Sequence, residues 1–335
     1  MRAAQVQGGF GLEALAITDL PDPSPRPGQV VVRVRAVSLN YRDMLVVKGL
    51  YSRKLPLPLT ICSDCAGEVV AAGPGVTRLA PGDRVASVFM PGWIGGEVDE
   101  ARAKTALGAA APGVLAEKVA FHEEGLVKIP GHLSLEEAAT LPCAALTAWH
   151  AVVEKGRVKS GDTILVLGSG GVSVFALQFA RLAGARVIAT SSSDKKLARL
   201  RDLGAAETIN YTTTPEWDEA VRKAAGAGVD HVIEVGGAGT MSRSLRAVRM
   251  GGRISLIGSL SGGAGEVNLM LCLMKSVVIQ GIFVGSREMF ESMNRAITMH
   301  KLRPIIDRVF PLEDAAAALR HVESGAHFGK VCIRL

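Results

Sequence analysis

Residues 163–190 read TILVLGSGGVSVFALQFARLAGARVIAT. A continuous apolar run, 163–167, breaks at Gly168-Ser169-Gly170-Gly171-Val172-Ser173. An amphipathic stretch follows to residue 183, and a second apolar run occupies 186–190. This is strand, G-x-G-x-x-S, helix, strand. Gly168 suits the tight turn and Gly170 the close approach of a diphosphate, which the unpaired N–H groups of the helix start would hold. The third position is ordinarily Gly or Ala, so Ser173 is a departure. The motif alone is weak, and its context strengthens it. Downstream, apolar strands at 229–234 and 253–257 alternate with helical patterns at 194–203, 215–224 and 240–248. Continuous apolar strands alternating with helices predict a doubly wound parallel sheet covered on both faces.

The flanks have a different texture. Upstream, QVVVRVRAV at 29–37, a strand at 66–72 and another at 113–121 are punctuated by Gly73-Pro74-Gly75 and Pro81-Gly82-Asp83, which makes the first 128 residues β-rich. Residues 90–112 show no period. A helix is expected over 136–154. Downstream come SVVIQGIFV at 276–284, helices at 288–300 and 312–324, and a closing strand at 330–334. The expected organisation is a catalytic part at 1–128, a dinucleotide-binding domain at 129–275, and a return segment at 276–335.

Composition narrows the function classes. The chain has 335 residues, enough for two domains, and its 48% hydrophobic content excludes disorder. The net charge of +6 is spread without long like-charge runs, as for an anionic small ligand. It is also compatible with nucleic acid, but only 4% aromatics leaves little for base stacking, which disfavours that partner. No apolar stretch reaches the ~18–20 residues of a membrane span, so no membrane partner is expected. MRAAQVQGG lacks the apolar core of a signal peptide. Five cysteines, an odd and sparse count, fit reduced thiols and a cytoplasmic setting.

The tip of the second strand bears on the cofactor. An acid is expected there for NAD, but Thr190-Ser191-Ser192-Ser193 offers none, and Lys196 follows. The missing carboxylate removes a charge that would repel a 2′-phosphate, which favours NADP(H). A helix-cap series with a solvated lysine pair remains the plain alternative.

With these segments in place, the chain resembles the medium-chain dehydrogenase/reductase superfamily over nearly its whole length. The likeness is carried by QVVVRV at 29–34, LNYRD at 39–43, AGEVV at 66–70, PGDRV at 81–85, GVLAE at 113–117, the glycine turn, and FGKV at 328–331. It implies a Rossmann domain inserted into a discontinuous, β-rich GroES-like catalytic domain, and hydride transfer with a nicotinamide cofactor. Of the zinc ligands of the superfamily's alcohol dehydrogenase branch, the first falls near Leu39-Asn40, the second on Ser63 and the third on Cys143. One thiol of three remains, and no cysteine lies between 90 and 112, so the resemblance points to the zinc-free quinone oxidoreductase-like branch and no metal.

In that branch Asn40 and Tyr51 stand beside the nicotinamide, where both donate hydrogen bonds to an oxygen gaining charge. Leu45 replaces a pocket tyrosine, and Tyr41 a common phenylalanine. Ser63, Met90, Trp93 and Phe283 complete the expected substrate pocket. Lys196 and Tyr211 flank the 2′-phosphate. Thr147, Gly236, Gly258 and Val284 fall where the ribose and nicotinamide amide are held. Lys330 either approaches the phosphates or caps the last strand. Arg42 and Asp43 form either part of this region or a structural ion pair. Cys62 and Cys65 read as buried thiols, a redox pair or a metal site. The expected substrate is a small carbonyl or quinone, with alcohol dehydrogenase-like chemistry and a low-turnover, RNA-contacting crystallin-like role as alternatives. The uncharged run at 276–284 is an association edge, so a homodimer is expected.

Overall fold

The computed structural model describes residues 1–335. The chain forms two units, 1–146 with 285–335, and 147–284. The boundaries differ from those expected at 128/129 and 275/276. The helix Leu135–Ala139 packs on strands of the first unit, and the strand of the 276–284 run pairs within the second.

In the first unit, β1 (Arg2–Val6), β2 (Leu15–Asp19) and β4 (Leu59–Thr60) make a three-stranded antiparallel sheet. A larger sheet runs β15 (Ile306–Pro311), β16 (Lys330–Arg334), β3 (Gln29–Ser38), β5 (Asp64–Ala72), β6 (Arg84–Ser87) and β8 (Leu126–Lys128), with β7 (Lys118–His122) also on β3. Val30, Val32, Val34 and Val37 of β3 enter the core with Val69, Val85, Leu126 and Ile333. Residues 113–117 are not the start of a strand. Gly113, Val114 and Leu115 donate to backbone oxygens of Thr60 and Ile61, and a Cβ on Gly113 would lie 2.2 Å from Ile61 O. The ladder starts only at Lys118.

The second unit is a six-stranded parallel sheet in the order β11 (Glu207–Asn210), β10 (Arg186–Ser191), β9 (Thr163–Leu167), β12 (Val229–Glu234), β13 (Val248–Leu256), β14 (Val278–Gly281). That is the doubly wound Rossmann order, and its switch point lies at the C-terminal ends of β9 and β12. The edge strand β14 is four residues long, shorter than the nine-residue run suggested.

The expected helix at 136–154 is helical but uneven. It is α-helical at Leu135–Ala139 and Leu146–Trp149, and wider π-type at Leu141–Ala145 and His150–Lys155. Pro142 supplies no N–H, and the N–H of Cys143 donates to Asp64 Oδ2 at 3.1 Å instead of up the helix.

Candidate active site and cofactor turn

The polar centre of the first unit grows from Asn40, which caps the helix Tyr41–Val47 directly after β3. Its backbone N–H donates to Asp43 Oδ2 at 2.8 Å, and Asp43 N–H returns to Asn40 O at 3.0 Å. Lys330, at the start of β16, is 3% exposed. Its ammonium donates to Asn40 Oδ1 and to Leu39 O, both at 2.6 Å. Asp64, at the start of β5, is fully buried. Its Oδ1 accepts from Ser63 Oγ at 2.6 Å and its Oδ2 from the Cys143 N–H. Burial raises the Asp64 pKa, while Lys330, Asn40 and Ser63 pull it back. An isolated buried ion costs several kcal/mol, so ammonium and carboxylate stabilise each other's burial. Burial, with Asp64 adding, pushes the Cys143 thiol up to about 12.

Arg42 and Asp43 bond elsewhere rather than to each other, so they are not the structural ion pair that adjacency suggested. Arg42 Nη2 donates to Leu107 O, and the guanidinium lies 4.3 Å from the Phe89 ring centroid and 5.6 Å from that of Tyr51. Asp43 is fully buried, and desolvation raises its pKa to about 6. Tyr41 and Tyr51 are exposed and Leu45 is half-buried. Met90 and Trp93 present almost no surface, and Trp93 Nε1 donates to Gly96 O at 2.9 Å. Cys62 and Cys65 are free, buried thiols whose pKa burial drives upward, that of Cys65 to about 12.

In the second unit, Gly168 follows β9 with φ +76°, and its N–H donates to Thr190 Oγ1 at 3.4 Å. Gly170 caps the helix Gly171–Leu182. A Cβ on either Gly168 or Gly170 would meet no protein atom within 4 Å. The turn therefore leaves open space above the helix start, as a diphosphate requires. Ser173 Oγ donates to Leu167 O at 2.7 Å, so the departure at the third position is absorbed inside the turn. Ser169 is buried, and Gly171 and Val172 are half-buried.

The register pairs Thr190 with Leu167 and Ser191 with Asn210, which gathers the glycine turn, Ser191 and Tyr211 at one end of the sheet. Ser191 Oγ accepts from Ser193 N–H at 3.4 Å, and Ser191 O from Tyr211 N–H at 3.1 Å. The Tyr211 side chain is exposed, and Lys196 is half-buried on the adjoining helix. Thr147 is buried and Phe283 exposed. Three expected backbone contacts are already committed internally. Gly236 N–H donates to Glu234 Oε1, Gly258 N–H to Glu234 O, and Val284 O accepts from His150 Nδ1.

Two buried acids beside the candidate sites, Asp64 and Glu234, escaped the sequence reading. Asp64 lies between Cys62 and Cys65, where no local pattern marks an acid. Glu234 closes β12 and accepts from the N–H groups of Gly236 and Gly237 and the hydroxyls of Thr240 and Ser244. An acid two residues before a Gly-Gly pair was its only signal.

Comparison with known proteins agrees with this geometry. Residues 26–131 match the alcohol dehydrogenase GroES-like domain, and residues 171–299 the zinc-binding dehydrogenase domain. A zinc-type alcohol dehydrogenase-like protein of Schizosaccharomyces pombe is 42% identical, with 92% of this chain and 91% of that protein covered. The quinone oxidoreductase of Lama guanicoe is 30% identical over 100% of this chain and 98% of its own length. A solved NAD-dependent alcohol dehydrogenase superposes with a TM-score of 0.92 at 40% identity, both chains fully covered. Fold, glycine turn and relatives together define a nicotinamide-dependent oxidoreductase. The chain belongs to the medium-chain dehydrogenase/reductase superfamily.

Proposed function

We propose that this chain is a zinc-independent, NADPH-dependent oxidoreductase that reduces a quinone, an α,β-unsaturated carbonyl or an aldehyde. The observation that carries this reading is the buried centre itself. At the positions where zinc-dependent relatives would place three ligands stand the amide of Asn40, the hydroxyl of Ser63 and the thiol of Cys143. The Lys330 ammonium already supplies a positive charge against Asn40. Zinc needs three deprotonated or neutral N, S or O ligands converging on one point. An amide whose oxygen already accepts from an ammonium and a hydroxyl already committed to Asp64 do not suit it.

When bound, the nicotinamide supplies the hydride. Gly168 and Gly170 shape the turn that would hold the diphosphate, while Ser191, Lys196 and Tyr211 surround the strand tip where a 2′-phosphate would sit. The substrate oxygen gains negative charge as hydride arrives. The Asn40 Nδ2 group, buried and without a hydrogen-bond partner, is one donor for it, and the exposed Tyr51 hydroxyl is the second. Water supplies the final proton.

One relative is named for NAD and alcohol, so alcohol oxidation is the second reading. Absorbance at the NADPH band, with 1,4-benzoquinone, crotonyl thioester and a primary alcohol side by side, separates the two. Tight NADPH binding without any turnover would instead mark a binding protein. Lys196→Ala should weaken NADPH roughly 10- to 100-fold and leave NADH nearly unchanged. Equal losses would show that Lys196 does not read the 2′-phosphate.

We further propose a homodimer through β14. Val278, Ile279 and the neighbouring Leu269, Met270, Leu273 and Met274 of the helix Leu269–Met274 are exposed, which makes a large apolar patch beside an unpaired strand edge. Five free thiols fit a reducing, cytoplasmic compartment.

A further inference from the structure

We infer that Lys330 is a positioning residue: its buried ammonium fixes which end of the Asn40 carboxamide faces the substrate. The inference rests on the donor role proposed for Asn40. An ammonium has three N–H donors and no acceptor. At 2.6 Å it can meet only the oxygen of the amide, so Oδ1 faces Lys330 and Nδ2 faces away. The second bond of Lys330, to Leu39 O at 2.6 Å, anchors the ammonium to the residue preceding Asn40. The Asn40 backbone is itself clamped by the reciprocal bonds with Asp43. Main chain and amide plane are therefore set independently.

The outcome is an uncommon one. Asn40 is 9% exposed, and Nδ2 has no hydrogen-bond partner. Asp64 lies near enough for the amide to lower its pKa, yet no well-formed bond closes between them. Buried donors left unpaired are rare and call for an explanation. Here the pairing that would satisfy the amide by rotation is blocked, because rotating it would aim N–H groups at an ammonium. Asp64 lies in the field of the Lys330 ammonium, which opposes the effect of burial on its carboxyl group. The structure thus gives Lys330 a task distinct from the phosphate contact that the FGKV segment suggested.

A double-mutant cycle tests this. Wild type, Lys330→Met, Asn40→Ala and the double variant are compared for kcat, KM and NADPH Kd with 1,4-benzoquinone. Lys330→Met should lower kcat roughly 10- to 100-fold with NADPH Kd changed less than about twofold, and the double variant should be no worse than Asn40→Ala. Lys330→Arg, whose guanidinium also only donates, should recover most of the loss. Losses that multiply, or a loss confined to NADPH Kd, would overturn the inference.

If Lys330→Met fails to fold with Asp64 left unpaired, the charge-balanced Lys330→Met/Asp64→Asn chain replaces it, compared against Asp64→Asn alone. A second readout needs no turnover. With the four asparagines labelled with nitrogen-15, the side-chain signal lost in Asn40→Ala identifies Asn40. That signal should move in Lys330→Met and stay put in the surface control Lys128→Met. An unmoved signal refutes the lock even if wild type turns over none of the panel, a result that would separately remove the proposed function.

Discussion

The backbone N–H of Cys143 donates to the Asp64 carboxylate across 79 residues of sequence, from a wide helical turn to the first residue of β5. The same carboxylate accepts from Ser63 and lies in the field of Lys330. Two of the three positions that a metal would need are thus joined through one acid, and the third, Asn40, is held by the ammonium.

The proposed function requires metal independence. Prolonged chelation should leave turnover within about twofold, and elemental analysis of the purified protein should find well under one zinc per chain. Recovery of one tightly held zinc, with activity lost on its removal and restored on its return, would end this reading.

The two glycines of the turn should separate stability from binding. Gly168 has φ +76°, so Gly168→Ala should destabilise the second unit by about 1–2 kcal/mol. Gly170 has φ −76° and free space around it, so Gly170→Ala should change stability by less than about 0.5 kcal/mol. Its methyl group would stand where the diphosphate approaches, and nicotinamide-cofactor affinity should fall roughly tenfold or more. Thermal unfolding with and without cofactor reads both effects. An unchanged cofactor affinity in Gly170→Ala would move the diphosphate elsewhere.

Two buried groups give the pH dependence opposite slopes. Asp43 has a folded pKa of about 6, raised by desolvation, while Arg42 and the Asn40 N–H lower it and Asp64 raises it. Between about pH 4 and 6 the native chain keeps a proton that the unfolded chain has lost, so this group's contribution falls as pH rises, by at most about 3 kcal/mol. His231 is pushed down to about 3 by desolvation, with Arg253 adding, and bonds to Ser255 Oγ at 2.8 Å. Below about pH 6.5 the unfolded chain takes up a proton that the native chain refuses, so this contribution is lost as pH falls towards 3. Asp43→Asn keeps an acceptor for the Asn40 N–H and should gain on wild type steadily from pH 4 to 6 in urea unfolding. A difference that does not vary with pH would show that Asp43 is charged throughout.

Association should depend on β14. Val278→Lys places a charge on the exposed edge and should shift sedimentation from dimer to monomer at micromolar concentration. If the parent also sediments as a monomer, the apolar patch serves something other than self-pairing.

Most of the second unit was legible because its strands are continuous apolar runs and its turns carry glycine. β9 and β12 appear at the residues their composition marks, as does the closing strand β16 of the first unit. The first unit was harder. β1, β2, β4 and β15 are short or lie at sheet edges, where a half-exposed strand need not alternate cleanly. The stretch at 113–117 looked like a strand because its residues are apolar, but its hydrogen bonds are divided among residues 60–62, Arg2, Ala4 and Val34 instead of forming one ladder. Asn40 was found from its place in a motif. Lys330 was marked by its FGKV segment, though not for this contact, and Asp64 was not marked at all, since nothing local in the sequence brings Asp64 and Lys330 together.

The discontinuity of the first unit orders its assembly in time. Residues 147–284 are contiguous and have a complete sheet of their own, so they can fold as soon as they leave the ribosome. The β3 edge at Ala36–Ser38 has no partner until residues 332–334 have been made. The hydrogen bond from Lys330 to Asn40 spans 290 residues and arrives at the same moment. A nascent chain therefore acquires its nucleotide-binding half first, and the polar centre that would carry the chemistry is assembled only when translation reaches β16.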